Sequence, residues 1–174
     1  GVNQDGRSAS MSAPNGPSQL ELLQNVMNQG AAGSGLRQYS ETHGTGTALG
    51  DPIEVGALYA VFGDSGNGPH LLLGALKSRL GHTEGASGVM GVLKAVLTLY
   101  QVGSLPNLHL QRTNPKLELH GFGVVLPMVA VGVKGTRLGT ARSCGVSSFG
   151  LSGTNCHAIL CTCRLEMHDV ISCR

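Results

Sequence analysis

The sequence predicts an α/β domain: a mixed sheet with helices packed on it and a β-rich end. Three observations carry that prediction. Helix-like and strand-like hydrophobic periods alternate through the first hundred or so residues. Glycine supplies 27 of 174 residues without any repeat or low complexity to account for them. Three Tyr, three Phe and no Trp are present, so the core must be built from Leu, Val, Ala and Gly, and large aromatic stacking platforms are excluded.

The stretch up to Pro17 is rich in Ser, Gly, Asn and Pro and reads as an ordered loop or a disordered end. Pro17 suits a first helical turn, Leu20, Leu23, Val26 and Met27 recur at helical spacing, and Gly30 is placed to stop the helix. The spacing predicts a helix over 17–29. Residues 36–41 read as a short strand running into the turn His43-Gly44-Thr45-Gly46-Thr47. Asp51, Pro52 and Glu54 then offer an N-cap, a first-turn proline and a capping-box acid for a second helix over 52–62, ended by Gly63.

Residues 71–76, Leu-Leu-Leu-Gly-Ala-Leu, form a continuous apolar run bounded by turn residues. That is the signature of a strand buried on both faces and the best candidate for a central strand. Gly81-His82-Thr83 makes a turn into a long helix over 84–101, in which Gly85, Ala86, Gly88, Gly91 and Ala95 present small side chains over several turns. Each helical glycine costs about 1 kcal/mol against alanine, so their number predicts a buried helix lying against another backbone. The segment 104–120 reads as irregular. Strand-like segments follow near 122–126 and 136–149, and the turn Gly150-Leu151-Ser152-Gly153 joins the latter to a strand over 155–162.

Composition excludes several roles. Lys and Arg number 12 against 10 Asp and Glu, and they are scattered, so no patch points to nucleic acid or an anionic membrane. No apolar run reaches the roughly 20 residues of a membrane span. The five cysteines, at 144, 156, 161, 163 and 173, are confined to the last third, a poor disulfide framework that favours a reduced, intracellular and cytoplasmic setting. Cys161, Cys163, His168 and Cys173 match no common zinc spacing, so no metal is expected. The start lacks an initiator Met and a signal-peptide pattern, so a piece of something longer is expected.

His43 and His82 occupy equivalent places, each after a predicted strand and before a helix. In open α/β sheets such loops on neighbouring parallel strands converge on one crevice outside the strands' carboxyl ends. A pair of imidazoles there suits acid–base or oxyanion chemistry; the alternative is two hydrogen-bonded turn residues. Gly44, Gly46 and Gly81 allow close approach, and Lys77 offers a cation that disfavours a protonated imidazole.

The segment Glu41-Thr42-His43-Gly44-Thr45-Gly46-Thr47 resembles the EAHGTGT of ketosynthases, and Gly50-Asp51-Pro52-Ile53-Glu54 matches their GDPIE. Residues 77–84 look like KSNIGHTE, residues 145–157 like GVSSFGFGGTNAH, and residues 2–8 and 12–17 like the NQDGRS and TAPNG stretches. The chain therefore resembles the C-terminal part of the β-ketoacyl synthase domain of type I polyketide synthases, of the thiolase-like superfamily. Animal-type fatty-acid synthases are close relatives. The likeness runs over residues 1–160, and residues 161–174 form a divergent tail.

The resemblance implies the second half of a thiolase-like fold and a 3-oxoacyl-[acyl-carrier-protein] synthase activity, a decarboxylating Claisen condensation of an acyl thioester with a malonyl unit on a carrier protein. His43 and His82 match the two catalytic histidines, and Lys77 the lysine that supports the hydrogen-bond network. Thr45 and Thr47 match hydroxyls near the phosphopantetheine arm, and Phe149 the gating aromatic of the acyl pocket. Glu84 is a possible partner of Lys77, and Asn155 a possible support. The family's nucleophilic cysteine lies in an upstream motif that this chain lacks, and neither Cys144 nor Cys156 stands in for it. Arg79 and Leu151 depart from the family's usual Asn and Phe.

The implied partners are an acyl carrier protein, whose phosphopantetheine arm carries the substrate, the rest of the ketosynthase, other synthase domains and a second copy in a homodimer. No cofactor is expected to bind the chain directly. Two other readings are a truncated, non-catalytic chain used for dimer or carrier-protein contacts, and a thiolase acting on free acyl-CoA. The latter is weakened because the C-terminal segment Thr154-Asn155-Cys156-His157 has the ketosynthase form.

Overall fold

The structure, a computed structural model, describes residues 1–6, 13–29, 37–63, 71–101, 103–132 and 142–162. Along the chain come β1 (Val2–Gln4), α1 (Gly16–Gln29), β2 (Arg37–Glu41), α2 (Gly50–Phe62), β3 (Leu71–Gly74) and a short α3 (Lys77–Leu80). A 3-10 turn at Glu84–Ala86 then leads into α4 (Ser87–Gln101), followed by β4 (Gly103–Ser104), β5 (Val124–Val125), β6 (Val131–Gly132), β7 (Ser143–Phe149) and β8 (Thr154–Cys161). Six strands form one mixed sheet in the order β1-β8-β7-β2-β3-β5, and β4 pairs with β6 apart from it. Strands β7, β2, β3 and β5 are parallel neighbours, while β8 runs antiparallel to both β7 and β1.

Successive side chains of β3 go to opposite faces of the sheet. Leu71 and Leu73 join Leu23 of α1, Val55, Ala57 and Leu58 of α2, and Phe122 on one side. Leu72 joins Tyr39 of β2, Ala95 and Leu99 of α4, and Cys144 and Val146 of β7 on the other. The sheet is thus sandwiched between the α1–α2 pair and α4. The apolar run at 71–76 does mark a strand buried on both faces, although the strand ends at Gly74. In the sheet β7 and β2 hold the centre and β3 lies one in from the edge.

Four other expectations change. The opening residues form an edge strand, with Val2 opposite Cys156 and Gln4 opposite Thr154; three residues are too few to carry a legible alternation. Helix α2 starts at Gly50, and its N-cap residue, Leu49, makes no side-chain cap bond. Instead Thr47 Oγ1 accepts the Gly50 N–H at 3.0 Å, and Asp51 accepts the Gly46 N–H at 3.1 Å, so Asp51 ties down the turn rather than capping the helix. Helix α4 begins at Ser87 because Glu84 adopts φ +47, which bends the chain out of α geometry. Only one face of α4 is buried. There a Cβ on Gly91 would sit 3.2 Å from Val146 and one on Gly88 3.1 Å from Ser148, the close approach its glycines predict. The other face exposes Val89, Leu93, Val96, Leu97 and Tyr100.

Of the predicted strand over 136–149, residues 143–149 form β7, and the start of that prediction falls outside the described residues. The tail from residue 163, with Cys163, His168 and Cys173, also lies outside them. Among the described residues no helix is long and apolar enough to cross a membrane.

Candidate functional site

The carboxyl ends of β7, β2 and β3 lie side by side, and three of the predicted site residues sit just there. Phe149 closes β7, His43 follows β2 by two residues, and Lys77 follows β3 by three. His82 enters from the turn between α3 and α4. The two imidazole rings stand 5.6 Å apart at 85°, and Phe149 lies 5.4 Å from His43. Both histidines share one crevice at the carboxyl ends of the parallel strands, but only His43 follows a strand directly; the short α3 separates His82 from β3. A cavity of about 350 Å³ is lined by His43, His82, Thr45, Thr47, Phe149 and Asn155, together with Asp5, Gln19, Glu54 and Leu151.

Backbone donors settle where each ring carries its hydrogen. His43 Nδ1 accepts the Phe149 N–H at 3.3 Å, and His82 Nδ1 accepts the Glu84 N–H at 2.9 Å. An imidazole that accepts at Nδ1 holds its hydrogen at Nε2, so both rings present an Nε2–H donor. Lys77 Nζ also stands 3.4 Å from His43 Nδ1. Burial first, then the charges of Lys77 and His82, push the His43 pKa down to about 4, so this ring is neutral at neutral pH. The imidazole that Lys77 disfavours from protonation is therefore His43, 34 positions before it.

Glu54, which reads in the sequence as a capping-box acid, does something else. Its buried carboxylate accepts the N–H of His43 at 2.7 Å and of Gly44 at 2.9 Å, fixing the turn that holds the His43 ring. Burial raises its pKa to about 7 against the lowering effect of those two bonds. An acid beside Val55, Ala57 and Leu58 on the core side of α2 was the available signal. Gly44 has φ +48, and a Cβ there would come 2.8 Å from Ala75, so only glycine lets this turn cross the end of β3.

The remaining predicted residues separate. Lys77 does not line the histidine cavity; it lines a neighbouring one of about 640 Å³ with Asp51, Glu54, Asn107 and Arg112, and burial lowers its pKa. The expected Lys77–Glu84 pair is not formed. Among the described residues the ion pair is Lys94–Glu41, whereas Glu84 is exposed, and its contribution is the backbone N–H that His82 accepts. Thr45 and Thr47 stand with their hydroxyl oxygens 3.4 Å apart. Buried Asn155 donates to Asp5 Oδ1 at 2.7 Å and to Asn3 Oδ1 at 3.2 Å, so it pins the first strand to β8. Cys144 is in the core, Cys156 half-buried and Cys161 exposed; none of these three lines the histidine cavity.

The six-stranded mixed sheet with helices on both faces is the fold of solved ketosynthase domains, which are thiolase-like. The ketosynthase from module 6 of the bacillaene synthase of Bacillus subtilis 168 superposes with a TM-score of 0.87 at 34% identity, covering 94% of this chain and 30% of that one. Residues 1–111 match the family described as "Beta-ketoacyl synthase, C-terminal domain", and the chain belongs to that family. It is 39% identical over 160 residues to the hybrid PKS-NRPS synthetase pynA of Aspergillus niger. It is 44% identical over 160 residues to the polyketide synthase GfsE of Streptomyces halstedii. These matches cover 92% and 91% of this chain but only 4% of either protein. The chain thus spans a small fraction of the curated relatives it matches and under a third of the solved ketosynthase chain.

Proposed function

We propose that this chain supplies the histidine-bearing part of a ketosynthase active site in polyketide or fatty-acid assembly. The observation that carries the reading is the pair of imidazoles 5.6 Å apart, each accepting a backbone N–H at Nδ1 and so each a donor at Nε2. In a decarboxylating condensation the electron pair of the breaking carbon–carboxylate bond moves into an enolate, whose charge gathers on the extender's thioester oxygen. Two N–H donors placed in advance lower the energy of that charge more than that of the neutral carbonyl. The enolate carbon then attacks the acyl thioester carbon, and the cysteine thiolate of the acylated partner segment leaves.

In this reading His43 and His82 are the oxyanion donors, and Lys77 keeps His43 neutral. Thr45 and Thr47 line the path of a phosphopantetheine arm, and Phe149 stands beside the acyl group. Glu54 and Asn155 act at one remove, by fixing the His43 turn and the first strand. The carrier protein, the half bearing the nucleophile, a second copy and the other synthase domains are the partners, the setting is intracellular, and the tail placed at 161–174 lies outside the ketosynthase part except for Cys161, which ends β8 opposite Ser143. A second reading is a chain that makes dimer or carrier-protein contacts without catalysing, and the exposed apolar face of α4 is what supports it.

Co-expression with a cysteine-bearing ketosynthase N-terminal half decides between the two. The first reading requires 3-oxoacyl product from an acyl thioester and malonyl-carrier protein, lost in both His43→Ala and His82→Ala, and none from the chain alone. A folded complex that binds carrier protein without forming product would establish the second reading.

A further inference from the structure

Glu41 is the last residue of β2 and is almost wholly buried, yet none of the roles above uses it. Its Oε1 accepts the N–H of Leu76, the residue before Lys77. Its Oε2 accepts the Tyr39 hydroxyl and lies 2.8 Å from Lys94 Nζ of α4. The side chains of Lys94 and Glu41 are 3% and 2% exposed. That contact is one of charge, since Lys94 Nζ does not meet hydrogen-bond geometry.

We propose that Glu41, anchored by Lys94 and Tyr39, is a positioning residue that locks the His43 turn, the Lys77 turn and α4 into one register. The carboxylate ends a strand two residues before His43. It grips the backbone one residue before Lys77, and its counter-ion sits on the helix that follows the His82 turn. Thr42 adds two bonds to the same joint, its N–H and hydroxyl both donating to the Gly74 carbonyl, at 2.7 and 2.9 Å. A buried ion pair is weak evidence for stability, because apolar residues of similar volume often replace one without loss, whereas removing a single partner strands a charge. What such a pair can supply is register, and here the register is the 3.4 Å approach of Lys77 to His43.

The proposal rests on reading His43 and Lys77 as site residues, but its test needs no turnover, so failure to condense and failure of the coupling are separate results. The chain, ¹⁵N-labelled at histidine and co-expressed with a ketosynthase N-terminal half, is titrated by NMR. His43 should titrate near 4 in the native chain. In the apolar double variant Glu41→Leu/Lys94→Met, the fold should survive while the His43 midpoint rises, by up to the roughly one unit that losing the Lys77 charge would give. Tyr39→Phe removes a single O–H, so it tests the anchor even where the double variant does not fold, and it should move the midpoint the same way. An unchanged His43 midpoint in either folded variant would overturn the proposal and leave the cluster as core alone.

Discussion

Lys77 Nζ stands 3.4 Å from His43 Nδ1 although 34 positions separate them. The contact comes from two parallel strands ending side by side, β2 before His43 and β3 before Lys77. It makes the lysine a like charge to any proton that His43 takes up. Replacing it by Lys77→Met should therefore raise the His43 midpoint above 4, by roughly one unit. The midpoint should stay below the ordinary 6.5, because burial is the larger cause. NMR titration of the ring measures this, and a midpoint that did not move would assign the depression to burial and the neighbouring His82.

Glu54 and His43 give stability opposite dependences on pH. With its pKa at about 7 rather than 4.5, Glu54 holds a proton in the folded chain that the unfolded chain has released. Its contribution is full below 4.5 and lost as pH rises through 7. His43, at about 4 rather than 6.5, lacks a proton that the unfolded chain binds, so its contribution is full above 6.5 and lost as pH falls through 4. Between 4.5 and 6.5 the two slopes oppose one another. In Glu54→Gln the histidine slope is opposed only by the weaker one of Asp51, whose pKa burial raises, so stability should climb with pH across that window, by at most about 1.4 kcal/mol per unit. In His43→Gln stability should instead fall as pH rises toward 7. Chemical denaturation across the window measures both, and parallel profiles for the two variants would refute the assignment.

How much of this was legible beforehand follows from the range of each interaction. The pairing of His43 with His82 could be read because each sits in a glycine-bounded turn before a helix, and local patterns report such turns; the short α3 between β3 and His82 left no such signal. The clamp of Glu54 on the His43 and Gly44 amides could not be read, since it joins residues ten and eleven positions apart in a direction set by how α2 lies on the sheet. The Glu41–Lys94 pair was hidden for the same reason. The expected pairing of Glu84 with Lys77 is not formed: Glu84 is exposed, and it is its amide that His82 Nδ1 accepts.

That last point is testable. Glu84→Gly keeps the N–H that His82 Nδ1 accepts and relieves the left-handed strain, so stability should change by less than about 1 kcal/mol and the His82 tautomer should be unchanged. Glu84→Pro removes the donor and cannot adopt φ +47. Side-chain ¹⁵N shifts of His82 should then show the loss of the Nε2–H form as the single tautomer. A Pro variant with wild-type shifts would mean that something else holds the ring.

The exposed face of α4 bears on how the chain behaves by itself. Val89, Leu93, Val96, Leu97 and Tyr100 recur at the spacing of a single helix face, and Tyr100 is 84% and Val89 64% exposed. The opposite face is already committed to β7 and the core around Ala95 and Leu99. A contiguous apolar stripe of this kind marks an interaction surface or an aggregation site, so the isolated chain should aggregate or bind a hydrophobic dye. Co-expression with a ketosynthase N-terminal half should suppress both effects if that half covers the stripe. The paired substitution Leu93→Lys/Leu97→Glu separates the face from the core: it should lower dye binding in the isolated chain and weaken association with the partner half, leaving the buried face of α4 intact. A cooperative thermal transition from a dye-silent native monomer would show that the exposed face needs no partner.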